Sequence, residues 1–244
     1  NLSDIYDAME DYIYFKGNIN KKIKFLSNRN FEKQVFGVNT IVDLYNDNRP
    51  SDTLMEGTVK LQPYISANYD ILRIKAGLNI VFEVTDNSKA KINPDLGIDL
   101  NMVNNVFLIF AGYRSDQYKN NLIDLANENP FINTELPLCF SNKKSELYGG
   151  IKGSISSYLS YNASISKARI ENMPLFVNDT SDVLQNKFTA TYDTVKVFNT
   201  HAEIAYQKAE KYKLVLTTNL YQYVTSNELE AWHKPNMDIK LAFN

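Results

Sequence analysis

Residues 92–102 read Ile-Asn-Pro-Asp-Leu-Gly-Ile-Asp-Leu-Asn-Met, and they decide the fold because their apolar side chains recur at every second position. Successive side chains of a β-strand point to opposite faces, so the segment predicts a strand with one apolar and one polar face. Its length is close to the roughly 9–11 residues that a tilted strand needs to cross a bilayer. A transmembrane β-barrel and a large soluble β-sandwich can both contain such strands.

The same alternation recurs along the chain. Residues with strand character fall in the ranges 11–23, 31–45, 58–69, 71–84, 92–102, 106–113, 146–157, 159–170, 194–206, 212–223 and 236–243. Many of these ranges are far longer than the roughly 5–6 residues typical of strands in soluble proteins. Their length favours the barrel.

Short and long connections alternate between these strands. The short ones lie near 24–30, 70, 103–105, 158 and 207–211, and the long ones near 46–57, 85–91, 114–145, 171–193 and 224–235. Outer-membrane barrels have short turns at one end and long loops at the other, whereas a Greek-key sandwich has no reason to separate them. Two short helices are predicted inside long loops, at Gln117–Asn129 and Ser226–Trp232.

Composition excludes several classes of protein. The formal net charge of -2 gives no electrostatic reason to bind nucleic acid. No run of 18 apolar residues exists, so a transmembrane helix is not expected. A mean hydropathy of -0.34 is compatible with a barrel, because lumen residues and loops dilute the lipid-facing rows.

Aromatic residues are abundant, with 16 Tyr, 13 Phe and one Trp. Rings with a polar end suit a membrane interface, although they are also common in ordinary strands. Seven tyrosines fall near predicted strand ends: Tyr45, Tyr69, Tyr158, Tyr161, Tyr206, Tyr212 and Tyr223. They predict an aromatic girdle at the level of the lipid headgroups.

Polar side chains between the apolar rows are the candidate ligand-binding residues. The predicted lumen-facing set is Arg73, Lys75, Asp95, Asp99, His201 and Glu203. The charges have both signs, as a hydrated lumen with internal ion pairs would, and a solvated outer face would explain them equally well. No cofactor or metal is predicted, because no glycine-rich phosphate loop, Cys-x-x-Cys or His-Glu-x-x-His pattern occurs.

His201 leaves one catalytic alternative open. It lies between Asn199 and Glu203 on one face of a predicted strand, where an imidazole could be oriented for a Ser–His hydrolase. No nucleophile motif accompanies it. The chain is therefore predicted not to be an enzyme, and a barrel-embedded hydrolase is the third interpretation.

Three stretches carry a resemblance to a known family. Val106–Arg114 (VFLIFAGYR) is followed by Asn120–Phe131 (NNLIDLANENPF), and Glu230–Pro235 (EAWHKP) precedes the last predicted strand. Together they resemble barrel segments of TonB-dependent receptor-like outer-membrane proteins, in which a strand runs into an extracellular helix before returning to the membrane. The resemblance implies a receptor or transport barrel in the outer membrane of a Gram-negative bacterium, surrounded by lipid and binding or passing an unknown ligand.

The chain is predicted to be a single β-barrel domain over 1–244, or part of a larger barrel. Full receptors of the family have about twice as many strands, and neither a plug domain nor a TonB box is recognisable in the sequence. Bacterial barrels usually have an even number of strands. Eleven predicted strands therefore imply either a missed strand or a fragment, and open edges would need a partner chain or a missing barrel segment.

The alternative fold is a soluble, exported β-sandwich that binds carbohydrate or protein through exposed tyrosines and Trp232. It requires the apolar rows to face one another across a dry core about 10 Å thick.

Overall fold

The computed structural model describes residues 2–3, 9–25, 31–49, 52–85, 88–104, 106–180, 186–208 and 212–243. Within them the elements are β1 (Leu2–Ser3), β2 (Met9–Lys22), β3 (Phe31–Arg49), β4 (Asp52–Tyr69), β5 (Leu72–Val84), β6 (Ala90–Val103), β7 (Phe107–Lys119), α1 (Leu122–Glu128), β8 (Phe140–Ser154), β9 (Leu159–Asn178), β10 (Phe188–Lys208), β11 (Tyr212–Val224) and β12 (Met237–Phe243). Most residues of the predicted connections 24–30 and 207–211 lie outside the described residues.

All twelve strands form one antiparallel sheet, in which each strand pairs with its neighbours in the chain from β1 to β12. This order confirms the predicted all-β, up-and-down architecture. The strand that the sequence pattern missed is β1, which is two residues long. Among the described residues β12 pairs only with β11, so the sheet has two open edges there.

Several strands continue beyond the predicted residues, and the longest extensions lie at the end of the sheet that carries the long connections. The predicted connection 46–57 is mostly strand, and the one at 114–145 shortens to 120–139. Alternation of apolar residues did not mark these extensions, because many of their outward side chains are polar. Asn46 and Asn48 of β3, for example, are both exposed.

One of the two predicted helices forms. α1 begins after Asn121, whose side-chain oxygen accepts a hydrogen bond of 2.7 Å from the backbone N–H of Asp124. It is shorter than predicted, because Gln117–Lys119 belong to β7. Across the described ranges, no helix has the length and apolar character that a membrane crossing requires.

The second predicted helix, Ser226–Trp232, is wrong. The segment consists of bends and turns. The backbone N–H groups of Ser226, Asn227 and Glu228 donate to the Asp193 carboxylate at 2.9, 2.9 and 3.1 Å. These tertiary hydrogen bonds satisfy the backbone without a helix.

The apolar rows face outward and are exposed, whereas polar residues on the opposite face are covered. On β6, Ile92, Leu96 and Ile98 are 68%, 47% and 41% exposed, while on β5 the polar Asn79 and Glu83 are only 4% and 8% exposed. A soluble protein buries such apolar rows. Because the described strands form one sheet rather than two packed sheets, the structure gives no support to the sandwich.

The sheet curls so that its polar rows line an inner face. Lys119 of β7 forms an ion pair with Asp47 of β3, four strands away. In a flat sheet four strand spacings would separate them by roughly 19 Å. Leu122 of α1 donates its N–H to Glu10 of β2 and packs in one apolar cluster with Phe176 of β9. The end with the long connections therefore wraps around α1.

The exposed apolar rows form a band across the outer face. Towards the long connections this apolar band ends where outward positions become mainly polar, at Asp11 of β2, Asn46 of β3 and Lys196 of β10, with Met9 and Met55 as exposed apolar exceptions. Residues beyond these positions lie outside the band.

Five of the seven tyrosines of the predicted aromatic girdle lie at one end of the sheet. Tyr69, Tyr158, Tyr206 and Tyr212 are exposed at the end with the short connections, and Tyr161 lies near them on β9. For Tyr45 and Tyr223 the prediction is wrong. Tyr45 is buried at 8% exposure, and both pair with residues of the inner face.

Candidate functional site

Four of the predicted site residues lie together on the inner face of β5 and β6. Lys75 Nζ is 2.6 Å from Asp95 Oδ2. Arg73 and Asp99 occupy directly opposite positions of the same strand pair, but neither forms an ion pair with another described residue. Binding of a ligand by these four residues stays a prediction.

A second ion-pair group on β7 and β8 was missed by sequence reasoning. Arg114 binds Glu146 in bidentate fashion, at 2.7 Å from Nε and 3.0 Å from Nη2, and Lys143 Nζ adds a contact of 2.8 Å to the same carboxylate. The guanidinium carbon also lies 5.0 Å from the ring centroid of Tyr148. Arg114 is opposite Asp95 in the β6–β7 pairing, so this group continues the first one along the inner face.

The other two predicted residues, His201 and Glu203, lie on the inner face of β10. His201 Nδ1 is 2.9 Å from Asn219 Oδ1, and Glu203 accepts a hydrogen bond of 3.4 Å from the Thr217 hydroxyl. The hydrogen bonds and ion pairs of the described residues do not connect them to the β5–β6 group. No described hydroxyl group hydrogen-bonds to the His201 ring, so the hydrolase interpretation gains no support from the geometry.

Further towards the long connections, charged side chains join strands that are not neighbours. Lys119 of β7, 5% exposed, contacts Asp47 and lies 3.3 Å from Glu56 of β4. Lys60 of β4 lies 2.7 Å from Asp116 of β7. Sequence alternation cannot reveal these pairs, because they depend on the curl of the sheet.

Glu10 anchors α1 to β2. Its carboxylate accepts hydrogen bonds of 2.8 Å from the backbone N–H groups of both Leu122 and Ile123. Glu10 lies beyond Asp11 and thus outside the apolar band. Burial raises the pKa of this carboxyl from 4.5 to about 7, and hydrogen bonding and repulsion by Asp47 act in the same direction, against the two N–H groups.

Asp193 holds the irregular connection 225–236 against β10, and it too lies outside the apolar band, beyond Lys196. Desolvation would raise the pKa of its carboxyl, but hydrogen bonds from the backbone N–H groups of residues 226–228 and Thr194 lower it to about 2. The ionised form is therefore the one that organises this connection.

Two tyrosine rings lie flat on the inner face over glycines. A Cβ atom at Gly112 would overlap the Tyr148 ring, and one at Gly37 would overlap the Tyr64 ring. A larger residue at either position would have to displace the end of the ring, and at Gly112 it would also approach the Leu96 backbone oxygen, 2.6 Å from the added Cβ. Charged groups lie against these rings: Lys75 Nζ lies over the Tyr64 ring, 5.5 Å from its centroid.

Among the cavities on the described part of the molecule, three lie at the ends of the sheet or beside α1. One of about 740 Å³ lies at the end with the short connections and includes Glu203, Lys213 and several serines. Another of about 720 Å³ lies against the connection 225–236 and includes Trp232. A third of about 330 Å³ lies between β2, β3 and α1.

A single up-and-down antiparallel sheet with an apolar outer face and a polar, ion-paired inner face is the architecture of outer-membrane β-barrels. No family model matches the sequence, and no curated protein matches it. Among solved structures the chain is similar to the pyoverdine outer-membrane receptor FpvA from Pseudomonas aeruginosa PAO1 bound to pyoverdine, with a TM-score of 0.56 and 14% identity over 97% of this chain and 38% of that one.

Two further structures show the same likeness. The copper transporter OprC gives a TM-score of 0.55 at 11% identity, over 97% of this chain and 41% of that one. The alcaligin outer-membrane receptor FauA from Bordetella pertussis gives 0.52 at 13% identity, over 97% and 43%. At these identities the likeness shows the fold alone, and the chain spans less than half the length of each protein.

Proposed function

We propose that this chain forms the wall of an outer-membrane β-barrel that binds or passes a ligand, as a receptor or transporter does, in a Gram-negative bacterium. The observation that carries the proposal is the distribution of exposure over the sheet, which is the reverse of that in a soluble protein: the apolar rows are exposed and the polar residues are covered. Lipid is the surrounding in which such an outer face is favourable. The neighbours support the proposal, because two are outer-membrane receptors and one is a transporter.

On this proposal the ligand contacts the inner face and the long connections. Arg73 and Asp99 offer uncommitted charges, while Lys75 and Asp95 already neutralise each other. The connection 120–139 covers the end of the inner face around α1. A ligand entering from that end must pass this segment, so the segment contributes to selectivity.

We further propose that the two open edges are covered in the working protein, by further strands of a longer chain or by another chain. An open edge in lipid leaves N–H and C=O groups without hydrogen bonds, at several kcal/mol for each group. The much greater length of the neighbouring structures supports this proposal.

The test is extraction and gel mobility. The purified chain should require detergent to stay monodisperse and should migrate differently before and after boiling, because folded membrane barrels resist unfolding in detergent until heated. A urea-denatured sample, run without boiling, is the control for the unfolded position. A monodisperse, detergent-free protein with no mobility shift would overturn the membrane proposal.

Sedimentation in detergent then tests the proposal that the open edges are covered, since a particle containing one 28.0 kDa chain would contradict pairing with a second copy.

A further inference from the structure

The smallest of the three cavities has a lining unlike the rest of the inner face. Its volume of about 330 Å³ lies at the lower end of the roughly 300–1,000 Å³ typical of small-molecule pockets. The lining residues are Tyr12, Tyr14, Asp43, Tyr45, Asn121, Ile123 and Asp124. Three aromatic rings and two carboxylates thus surround it, and no basic residue is among the lining.

The register of β2 and β3 brings the rings together. Tyr12 is directly opposite Tyr45, with ring centroids 6.0 Å apart and planes inclined by 24°, and Tyr14 is directly opposite Asp43. Tyr12 and Tyr14 are 54% and 55% exposed in this chain, in which β2 pairs over most of its length with β3 alone, so a ligand can reach their side chains here. Their π faces carry partial negative charge.

The opposite wall is held in place before any ligand binds. The backbone N–H groups of Leu122 and Ile123 donate to Glu10 at 2.8 Å, which fixes the first turn of α1 beside β2. Asn121 Nδ2 also donates to Asp124 Oδ2 at 2.7 Å and orients that carboxylate. The cavity is therefore preformed.

The negative charge of the lining is not neutralised by a lysine that lies nearby. Lys119 Nζ is 5.4 Å from the Tyr45 ring centroid, but it is committed to Asp47 and Glu56. A positively charged ligand would therefore meet both the rings and the Asp43 and Asp124 carboxylates.

We propose that this cavity binds a small organic cation with a quaternary ammonium head. Such a head cannot donate classical N–H hydrogen bonds, and aromatic rings recognise it through cation–π attraction. A bare metal ion fits less well, because no group of three or more His, Cys, Asp or Glu side chains in the described ranges could hold one. The inference names a ligand class for the proposed receptor or transport barrel. It rests on the proposed function, because the cavity exists only when the sheet folds as such a barrel wall.

The probe is choline, and the matched control ligand is 3,3-dimethyl-1-butanol, which has the same shape without the charge. Binding to the detergent-solubilised chain is measured by calorimetric titration up to about 10 mM ligand, a range that covers dissociation constants near 1 mM. Choline should bind and the neutral analogue should not. Each sample is first checked for its heat-dependent gel shift, so that loss of the fold is distinguished from loss of the site.

Variants of two lining residues distinguish the contribution of the aromatic rings to choline binding from that of the carboxylates. Tyr12→Leu and Asp43→Asn should each weaken choline binding by about 5- to 30-fold, whereas Tyr12→Phe should retain it, because the ring is kept. The control is Tyr221→Leu on β11, which removes a tyrosine that stacks on Tyr223 away from this cavity. It should leave binding unchanged.

Four results would overturn the proposal in protein that keeps its gel shift: no choline binding, equal binding of the neutral analogue, unchanged binding in Tyr12→Leu and Asp43→Asn, or equal weakening by Tyr221→Leu. If Tyr12→Leu does not fold, the Asp43→Asn result decides alone. Absence of the gel shift in the parent chain would instead count against the membrane barrel.

Discussion

Replacing Leu96 by arginine tests whether the outer face lies in lipid. Leu96 is near the middle of the outward row of β6, opposite Ala76 and Tyr113 of the adjacent strands, and is 47% exposed. A charge on the lipid face of a barrel at the bilayer midplane costs about 2–4 kcal/mol. An exposed substitution in water usually changes stability by less than about 0.5 kcal/mol. The two surroundings therefore predict clearly different free energies of unfolding.

Met102→Arg on the same strand is the matched control. Met102 is 52% exposed, close to the value for Leu96, so the two sites differ in depth rather than exposure. Six residues at about 3.3 Å each, along a strand tilted by roughly 40°, place Met102 about 15 Å from the level of Leu96. That is half of the roughly 30 Å hydrocarbon thickness. The cost there should be about 0–1 kcal/mol.

The assay is urea unfolding of the protein in lipid vesicles, followed by tyrosine and tryptophan fluorescence. Leu96→Ala is measured in parallel, so that the loss of the leucine side chain is subtracted from the effect of the charge. Leu96→Arg should destabilise the sheet by at least about 1 kcal/mol more than Met102→Arg. Equal costs at the two positions, both under about 0.5 kcal/mol, would refute the lipid-facing assignment.

Three further predictions concern the ends and the inner face. The pKa of Glu10 is raised from 4.5 to about 7, so its stabilising contribution is complete below about pH 4.5 and decreases as the pH rises towards 7. The urea midpoint of the parent chain should therefore fall with pH across this range, and in Glu10→Gln this fall should disappear. Asp193, with its pKa lowered to about 2, stabilises above its ordinary value of 3.8 and loses that effect as the pH falls towards 2; Asp193→Ala should cost about 1.5–3 kcal/mol and speed proteolysis within 225–236, and unchanged cleavage would contradict its role. Gly112→Ala should cost about 1–3 kcal/mol, because the added Cβ meets both the Tyr148 ring and the Leu96 backbone oxygen; a double-mutant cycle with Tyr148→Ala should be non-additive by the part due to the ring, whereas full additivity would mean that the ring does not contribute to the cost.

The sequence predicted the sheet because each outward row is a local pattern. Alternation around Leu96 defines the face of β6 without knowledge of any other strand. Alternation would also have placed Tyr45 correctly, although the prediction assigned it to the aromatic girdle. Val42 and Leu44 belong to the apolar outer row of β3, so strict alternation places Tyr45 on the inner face, although its position at the predicted strand end favoured the girdle.

The rest depends on contacts between distant residues. Ser226–Trp232 has a helix-compatible sequence, but the Asp193 carboxylate, 33 residues earlier, binds its first N–H group. The ion pair of Lys119 with Asp47 joins residues 72 positions apart and exists only because the sheet curls. Neither contact leaves a local signal, since both depend on the register and curvature of the complete sheet.

Register is the property that alternation alone cannot specify. A one-residue slip exchanges the two faces, but a two-residue slip preserves them and costs little in lipid. The inner face of β7 and β8 prevents this slip. Tyr148 is opposite Gly112, which alone leaves space for its ring, and two residues in either direction it would meet Phe110 or Arg114. The same slip would separate Arg114 from Glu146 and leave a buried carboxylate without its partner, which is costly. The polar inner face therefore selects the register of a sheet whose apolar rows determine only which face points outward.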